Sequence, residues 1–212
     1  MLRSVLIGLD GSQYSNSAAE LGMHWAKHHG AKITGIGVID RPSIVENSAK
    51  AIVGAAEVYE NEMLEALQGV ESFLREFRLR CSENGVTPQI VEEIGPPVSE
   101  IVLEAQRHDL VLLGKQTYFR FESQSHNDDV AQKIIEHAPR PVVVAPSSVT
   151  MSDAVVIAYD SSLPAAKALA AFVTSGLARS SSLHLVSIGK NHGHAEERLS
   201  RAQDYLAAHD IT

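Results

Sequence analysis

Short apolar runs that alternate with segments of helical spacing are the strongest constraint on the fold of the first 146 residues. Five runs have the composition of buried strands, and they cover residues 3–10, 33–39, 87–94, 110–113 and 141–146. Strands that alternate with helices are joined by right-handed crossovers, which place helices on both faces of a parallel sheet. The sequence therefore predicts an α/β fold, an open parallel five-stranded sheet of the Rossmann-like type that binds ligands at the carboxyl ends of its strands.

The predicted helices lie between these strands. Ser17 and Glu20 have the spacing of a capping box, so we expect the first helix to begin near Ala18. Residues 40–48 are expected to form a loop, followed by a long helix that ends at Glu83. Two shorter helices are expected over residues 98–107 and 128–137.

The composition excludes several classes of protein. No stretch approaches the roughly 18 consecutive apolar residues of a membrane span, and the amino terminus has no cleavage-site signature. Cys81 is the only cysteine, which excludes an internal disulfide and fits a reducing compartment. The formal net charge of −8 argues against a nucleic-acid surface, which needs clustered Lys and Arg. We therefore expect a cytoplasmic protein that binds neither membranes nor nucleic acid.

An internal repeat is found when the chain is compared with itself at a shift of 150 residues. The shift places residues 5–12 (VLIGLDGS) on residues 155–162 (VVIAYDSS) and continues through the next strand without a gap. We predict a complete domain over 1–147 and a partial second copy, its first half only, over 152–212. Ordering a chain costs about 1–2 kcal/mol per residue, and half a domain buries little apolar area to offset that cost. We expect either a chain that has been cut short or a second copy that lies against the first copy or a partner.

Short motifs follow three of the predicted strands and the last helix. They are Leu9-Asp10-Gly11-Ser12, Val38-Ile39-Asp40, Leu113-Gly114 and His137-Ala138-Pro139-Arg140-Pro141-Val142. In this order and spacing they resemble the universal stress protein family, over all of copy one and what exists of copy two. The resemblance implies an adenine-nucleotide α-hydrolase-like sheet, a role in the stress response, tandem copies, and ATP or another adenine nucleotide as the family ligand.

The resemblance implies an adenosine side of a nucleotide site. In the family, the position of Asp10 faces the nucleoside, and the position of Val38 contacts adenine through its backbone. The candidate residues on this side are Asp10, Gly11, Ser12, Val38 and Gly114. Asp10 and Ser12 have an alternative interpretation, in which they only organise the turn through side-chain hydrogen bonds.

The phosphate side departs from the family pattern. ATP-binding members carry G-x-x-G after the fourth strand and G-S at the start of the last helix, where backbone amides bind the anion. Here Thr117 stands at the second glycine and Asp128-Asp129 at G-S, with Lys115 and Val130 beside them. Two like charges about 4 Å apart repel by about 1 kcal/mol in water and by about 4 kcal/mol at an effective dielectric of about 20. We therefore expect ATP binding to be weak or lost.

The two aspartates have two interpretations. They cap the last helix, which is worth about 0.5–2 kcal/mol, or they bridge a metal ion to a phosphate, with Lys115 or Arg120 as compensating charge. The histidines His24 and His28 have a spacing that suits a metal ion, but no partner acid follows as in H-E-x-x-H. We interpret them as surface residues and predict no metal site.

The last strand of the predicted sheet has no cover. Val142, Val143 and Val144 would expose an apolar edge, which proteins usually protect. In tandem members of the family the last strands of the two copies pair with each other, and the second copy here lacks that strand. We therefore expect a homodimer in which residues 141–146 of two chains pair antiparallel.

Catalytic motifs are absent from the sequence: it has neither a Walker-type phosphate loop nor a nucleophile elbow. We predict a non-enzymatic stress-response or regulatory protein that acts through partner binding. An alternative is an adenine-nucleotide sensor whose dimer is gated by nucleotide. A third hypothesis is an ATP-using transferase or hydrolase of related sheet order.

Overall fold

The computed structural model describes residues 1–119, 130–150, 152, 154–189 and 192–211. The chain divides into two compact units, Arg3–Val149 and Met1–Leu2 together with Thr150–Thr212. Each unit has its own parallel sheet.

The first unit is a doubly wound α/β domain. Its strands are β1 (Ser4–Leu9), β2 (Lys32–Ile39), β3 (Gln89–Ile94), β4 (Leu110–Gly114) and β5 (Val142–Ala145). Its helices are α1 (Gln13–His29), α2 (Arg41–Ala49), α3 (Ala55–Glu83), α4 (Pro97–Ala105) and α5 (Val130–His137). All strand pairs are parallel, in the order β3-β2-β1-β4-β5. The predicted fold class, an open parallel five-stranded sheet with helices, is confirmed.

Apolar side chains cover both faces of this sheet. The central strand β1 is buried from Val5 to Leu9. On one face α1 and α3 pack against the strands, and Phe77 of α3 lies over Gly35 of β2. The opposite face carries a buried cluster of side chains from the strands, α4, α5 and the segment after β4. The cluster consists of Leu6, Ile36, Val38, Ile101, Ala105, Val111, Leu113, Phe119, Val130 and Ile134.

The first helix begins earlier than the capping-box spacing predicts, so that prediction was wrong. Helix α1 starts at Gln13, and Ser12 is its N-cap, whose Oγ accepts a hydrogen bond from the Ser15 N–H at 3.1 Å. Ser17 lies inside the helix, where its hydroxyl donates to the Ser147 carbonyl oxygen at 2.8 Å. The turn after β1 therefore reaches the helix within three residues, because Ser12 satisfies an amide of the first turn.

The segment after β2 is also helical where the sequence predicted a loop. Asp40 is the N-cap of α2, and its Oδ1 accepts a hydrogen bond from the Ser43 N–H at 3.2 Å. Pro42 lies in the first turn, where its missing N–H costs no helical hydrogen bond. An aspartate cap followed by proline is a helix-start signal, which outweighs the low apolar content of these residues.

The second unit repeats the order of elements at the start of the first. It contains β6 (Ala154–Ala158), α6 (Leu163–Ser175), a 3₁₀ turn over Leu177–Ser180, β7 (Ser182–Val186) and α7 (His192–Ala207). Strand β6 pairs with β7 in parallel. The helices bury one face of this sheet in a cluster of six residues, Leu169, Val173, Ala178, Ala202, Leu206 and Ile211.

The other face of the β6–β7 sheet is exposed. Val156 is 68% exposed, Val186 41% and Ile188 89%. The residues 150 positions earlier are Leu6, Ile36 and Val38, and all three are fully buried. The difference has a simple cause, because α4 and α5 cover that face in the first unit and the described part of the second unit has no equivalent helices.

No helix in the described ranges of the chain is long and apolar enough to cross a membrane.

Candidate functional site

The strand order places a crevice between β1 and β4. The chain order reverses at this pair of strands, and in open α/β sheets ligands bind outside the carboxyl ends of the strands at such a point. The register pairs Ile7 with Leu112, so the two strands end at nearly the same level. The two loops that follow them, residues 10–12 after β1 and residues 115–119 after β4, therefore border the crevice.

The first loop is a tight turn held by its own side chains. Oδ1 of Asp10 accepts hydrogen bonds from the Ser12 N–H at 3.0 Å and from the Ser12 hydroxyl at 2.6 Å. Gly11 has φ of 76°, a left-handed conformation that favours glycine. One interpretation of the sequence is that Asp10 and Ser12 organise the turn through side-chain hydrogen bonds. The observed hydrogen bonds are of the kind that this interpretation requires.

The second loop is packed against the start of α1. A Cβ atom on Gly114 would lie 2.6 Å from Cβ of Tyr14, so only glycine fits at this position. Thr117 is 2% exposed, and its hydroxyl donates to the Gly114 carbonyl oxygen at 2.8 Å. The threonine that replaces the second family glycine is therefore buried and hydrogen-bonded within the loop. Lys115 is exposed, and its backbone N–H donates to the Ala145 carbonyl oxygen at 2.8 Å.

A hydrogen bond joins the two loops across the crevice. The Tyr118 N–H donates to Oδ2 of Asp10 at 2.9 Å. With the two bonds from Ser12, three donors of the chain itself point at the Asp10 carboxylate, and both of its oxygens are used. Such charge-assisted hydrogen bonds are shorter and stronger than bonds between neutral groups.

Phe119 is a site residue that the sequence reading missed. Its side chain is fully buried in the cluster that contains Val38, Leu113 and Val130. The tip of the ring, Cζ, would lie 3.1 Å from a Cβ placed on Gly8 of β1. The sequence shows only an aromatic residue in a polar stretch without periodicity, and that the residue packs against Gly8 of a buried strand is seen only in the structure.

The backbone of Phe119 is strained, with φ of 52°. A left-handed conformation costs a residue other than glycine about 1–2 kcal/mol. Full burial of a phenylalanine side chain is worth about 1.5–3 kcal/mol. Burial of the ring therefore offsets the strain and holds the segment in the crevice.

Some of the remaining candidate residues lie in the described part of the chain, and others lie outside it. The β1–β2 pairing ends at Leu9 and Gly37, so Val38 lies just beyond it at the carboxyl edge, with its side chain buried. Val130 is the first residue of α5 and is 8% exposed. Asp128 and Asp129 lie outside the described residues, as does Arg120. The predicted charge at the phosphate position therefore stays a prediction.

Strand β5 forms one edge of the sheet, as the sequence predicts for the last strand. Val142 and Val143 are half-buried, and Val144 is 36% exposed. The opposite edge, β3, carries Glu92 and Glu93, and charged side chains of this kind protect an edge against pairing. The β5 sequence Val142–Ala145 has no charged residue.

Other reactive side chains lie away from the crevice. Burial raises the pKa of the Cys81 thiol to about 11, although the nearby Arg80 acts in the opposite direction. The rings of His24 and His28 stack with centroids 5.4 Å apart on α1. Among the residues that the structure describes, no group of three or more His, Cys, Asp or Glu side chains is placed to hold a metal ion.

Comparison with known proteins gives one family match and several similar structures. The profile of the universal stress protein family matches residues 1–146. A universal stress protein from Archaeoglobus fulgidus DSM 4304 has a TM-score of 0.67 and 19% identity, and the match covers 98% of this chain and 73% of that chain. For the hypothetical protein MJ0577 the TM-score is 0.55 and the identity 18%, over 72% of this chain and 99% of that chain.

A third similar structure, a family member from Arabidopsis thaliana, was solved with AMP bound. Its TM-score is 0.47 and its identity 18%, over 68% of this chain and 91% of that chain. No curated protein matches the chain in sequence. At these identities the first two structures show the fold alone.

Proposed function

Because the chain belongs to the universal stress protein family, we propose that it is a non-enzymatic stress-response regulator in which ATP binding is weak or lost. The observation that carries this proposal is the Asp10 carboxylate, whose oxygens already accept three hydrogen bonds from Ser12 and Tyr118. A ribose or base that used this carboxylate would have to replace those bonds. The buried Thr117 side chain adds to the cost, since it fills space where the family pattern has glycine.

The electrostatics of the phosphate side support the same proposal. ATP-binding members receive the phosphates on glycine and serine, where backbone amides face the anion. In this sequence Asp128 and Asp129 stand at those positions, so a triphosphate would meet two carboxylates. Two unit charges about 4 Å apart repel by about 1 kcal/mol in water, and the repulsion rises as water leaves the site and the effective dielectric falls.

A non-enzymatic role fits the chemistry of the described side chains. Asp10 and Ser12 are held by each other, and Oγ of Ser12 accepts the helix-capping bond from Ser15. Cys81 is buried with a raised pKa, and such thiols are poor nucleophiles. We propose that the protein acts through partner binding in the cytoplasm, for which the acidic charge and the single cysteine are the supporting sequence features.

Calorimetric titration of the full chain with ATP and AMP, each with and without Mg²⁺ or Mn²⁺, tests the proposal. We expect millimolar affinity or no binding for ATP without metal, with Mg²⁺ and with Mn²⁺. Micromolar or tighter binding of ATP would contradict it. Tight binding that appears only with a metal ion would favour the interpretation in which the aspartates bridge a metal to a phosphate.

A restored site provides the matched test of the charge argument. The variant Thr117→Gly/Asp128→Gly/Asp129→Ser returns the family pattern, and we expect it to bind ATP at least about tenfold more tightly, equal to about 1.4 kcal/mol. The control Glu57→Gln/Glu60→Gln removes the same net charge from exposed positions of α3. Equal affinity gains in both variants would show that net charge, and not the site, weakens binding.

We propose further that the protein is a homodimer joined through residues 141–146. The support is the position of β5 at the sheet edge and its uncharged sequence, in contrast to Glu92 and Glu93 on the other edge. Light scattering after size exclusion should give twice the mass of 22.9 kDa at micromolar concentration. Val143→Lys should shift the protein to the monomer, and a monomeric wild-type chain would refute the proposal.

A second candidate function is a nucleotide-gated sensor. It is favoured by Val38, which lies on β2 just beyond the last residue paired with β1, and by Gly114, which is kept at the first family glycine. In this version adenosine or AMP binds where ATP does not. AMP affinity in the micromolar range, together with a change of dimer mass on AMP addition, would favour the sensor over the ligand-independent regulator.

A further inference from the structure

We propose that Phe119 is an internal occupant of the nucleoside part of the crevice, and that an adenine nucleoside enters only when the segment Thr117–Phe119 is displaced. This inference rests on the proposed function, because it takes the family site as the place where a nucleotide would bind. It adds a cause for weak binding that is independent of the phosphates.

The Phe119 ring lies close to the carboxyl end of β1. Phe119 lies on the sheet face that contains Leu6, Ile36 and Val38, and its tip reaches Gly8 near the carboxyl end of β1. Asp10, which the family resemblance assigns to the nucleoside, follows Gly8 by two residues and lies directly after β1. The ring therefore fills the volume between the end of β1 and the residue whose backbone would contact adenine.

Tyr118, the residue before Phe119, makes a polar contact with Asp10. The Tyr118 N–H donates to Oδ2 of Asp10 at 2.9 Å, as a hydroxyl of a ribose would. A nucleoside would be held here in two ways: its planar base would pack among apolar side chains, and a ribose hydroxyl would donate a hydrogen bond to the Asp10 carboxylate. Tyr118 and Phe119 supply both from the chain itself.

The strain at Phe119 makes displacement feasible. The strain of its φ of 52° is released when Phe119 leaves the crevice. In this open state, the released strain energy offsets part of the free energy lost when the ring is no longer buried. A ligand that binds only the open state is weakened by the fraction of molecules that are open, and it shifts the equilibrium towards that state as it binds. Occupation of the nucleoside part of the crevice would then weaken binding in addition to the changes on the phosphate side.

The variant Phe119→Ala tests the proposal with adenosine as the probe. Adenosine carries no phosphate, so its binding does not depend on Asp128 and Asp129. We expect Phe119→Ala to bind adenosine at least about tenfold more tightly than the wild type in a calorimetric titration. The matched control is Phe77→Ala, which removes a ring of the same size, 4% exposed, from the opposite face of the sheet. Affinity of Phe119→Ala no better than that of the wild type and of Phe77→Ala would overturn the proposal.

A milder variant tests the proposal if the cavity created by Phe119→Ala unfolds the protein. Phe119→Leu removes the planar ring but keeps an apolar side chain, and thermal melts establish that each variant is folded. We expect Phe119→Leu to gain adenosine affinity, although less than Phe119→Ala, and we expect Phe77→Ala to show no gain. A folded Phe119→Leu with wild-type adenosine affinity would count against the proposal in the same way.

Hydrogen exchange of the wild-type protein gives a readout that needs no substitution. Amide exchange at Tyr118 should accelerate as adenosine is added, because the bond to Asp10 opens, whereas exchange at Ser15, whose N–H bonds Ser12, should stay constant. Adenosine binding that leaves the Tyr118 amide as protected as before would overturn the proposal.

The two proposals fail separately in these experiments. Tight ATP binding by the wild type with faster exchange at Tyr118 would refute the proposed loss of ATP binding and support displacement of Phe119. Millimolar ATP binding together with no adenosine gain in Phe119→Ala would leave the proposed function intact and overturn the internal occupant.

Discussion

Substitution of Asp10 by asparagine tests whether this carboxylate is a structural part of the crevice. Asparagine keeps one oxygen, which can still accept from Ser12, but its amide nitrogen then faces the Tyr118 N–H, so two donors meet where one bond stood at 2.9 Å. A hydrogen bond to a charged group contributes about 1.5–3 kcal/mol, and Asp10 is partly exposed, so we expect a loss of about 2 kcal/mol in the free energy of unfolding. The loss should be present without any ligand.

Urea unfolding followed by tryptophan fluorescence measures this loss. Trp25 is the only tryptophan and lies in α1, so its signal reports the first unit. Asp160 occupies the equivalent repeat position, but its side chain is exposed, and it accepts hydrogen bonds from Ser162 of its own turn, with the Ser162 N–H at 2.8 Å. Asp160→Asn should therefore leave the unfolding curve, followed also by circular dichroism, unchanged. An Asp10→Asn variant as stable as the wild type would refute the structural role.

Three other predictions follow from burial and charge. Leu6→Ala, at a fully buried position, should cost about 2–5 kcal/mol, whereas Val156→Ala, at the equivalent position that is 68% exposed, should change the stability by no more than about 0.5 kcal/mol in urea melts. Cys81, which is fully buried with a pKa raised to about 11, should react with a thiol reagent at pH 8 only as fast as the protein unfolds, and rapid labelling of the native protein would contradict this. Burial alone would raise the pKa of Asp109, but hydrogen bonds from the amides at the start of β1 hold it below its usual value, so its stabilisation should be present above about pH 4 and fade as the pH falls further. The difference in stability between the wild type and Asp109→Asn should therefore shrink in acid, and a difference that grows as the pH falls would refute this.

The fold was predictable because its signals are local and repeated. Buried strands such as β4 read as continuous apolar runs, and five such runs separated by helices allow few topologies. The boundaries were less predictable, because they depend on single side-chain hydrogen bonds. Ser12 and Asp40 each start a helix through one cap, and the sequence contains other serines and aspartates of equal capping ability.

The candidate site divides in the same way. The family resemblance names Asp10, Val38 and Gly114 from the sequence, and the structure places them at or beside the carboxyl ends of β1, β2 and β4. The contacts of Tyr118 and Phe119 could not be predicted from the sequence, since they depend on how a polar segment folds back over the sheet. A backbone N–H has no sequence signature, and a left-handed phenylalanine is a conformation that its own preferences oppose.

A crystal structure of the wild-type chain soaked in micromolar ATP and Mg²⁺ tests most directly whether residues of the chain itself occupy the crevice. We expect the Phe119 ring over Gly8, the Tyr118 amide on Asp10 and no nucleotide between β1 and β4. An adenine ring bound over Gly8, with the ribose on Asp10 and the triphosphate beside residues 128–129, would contradict it.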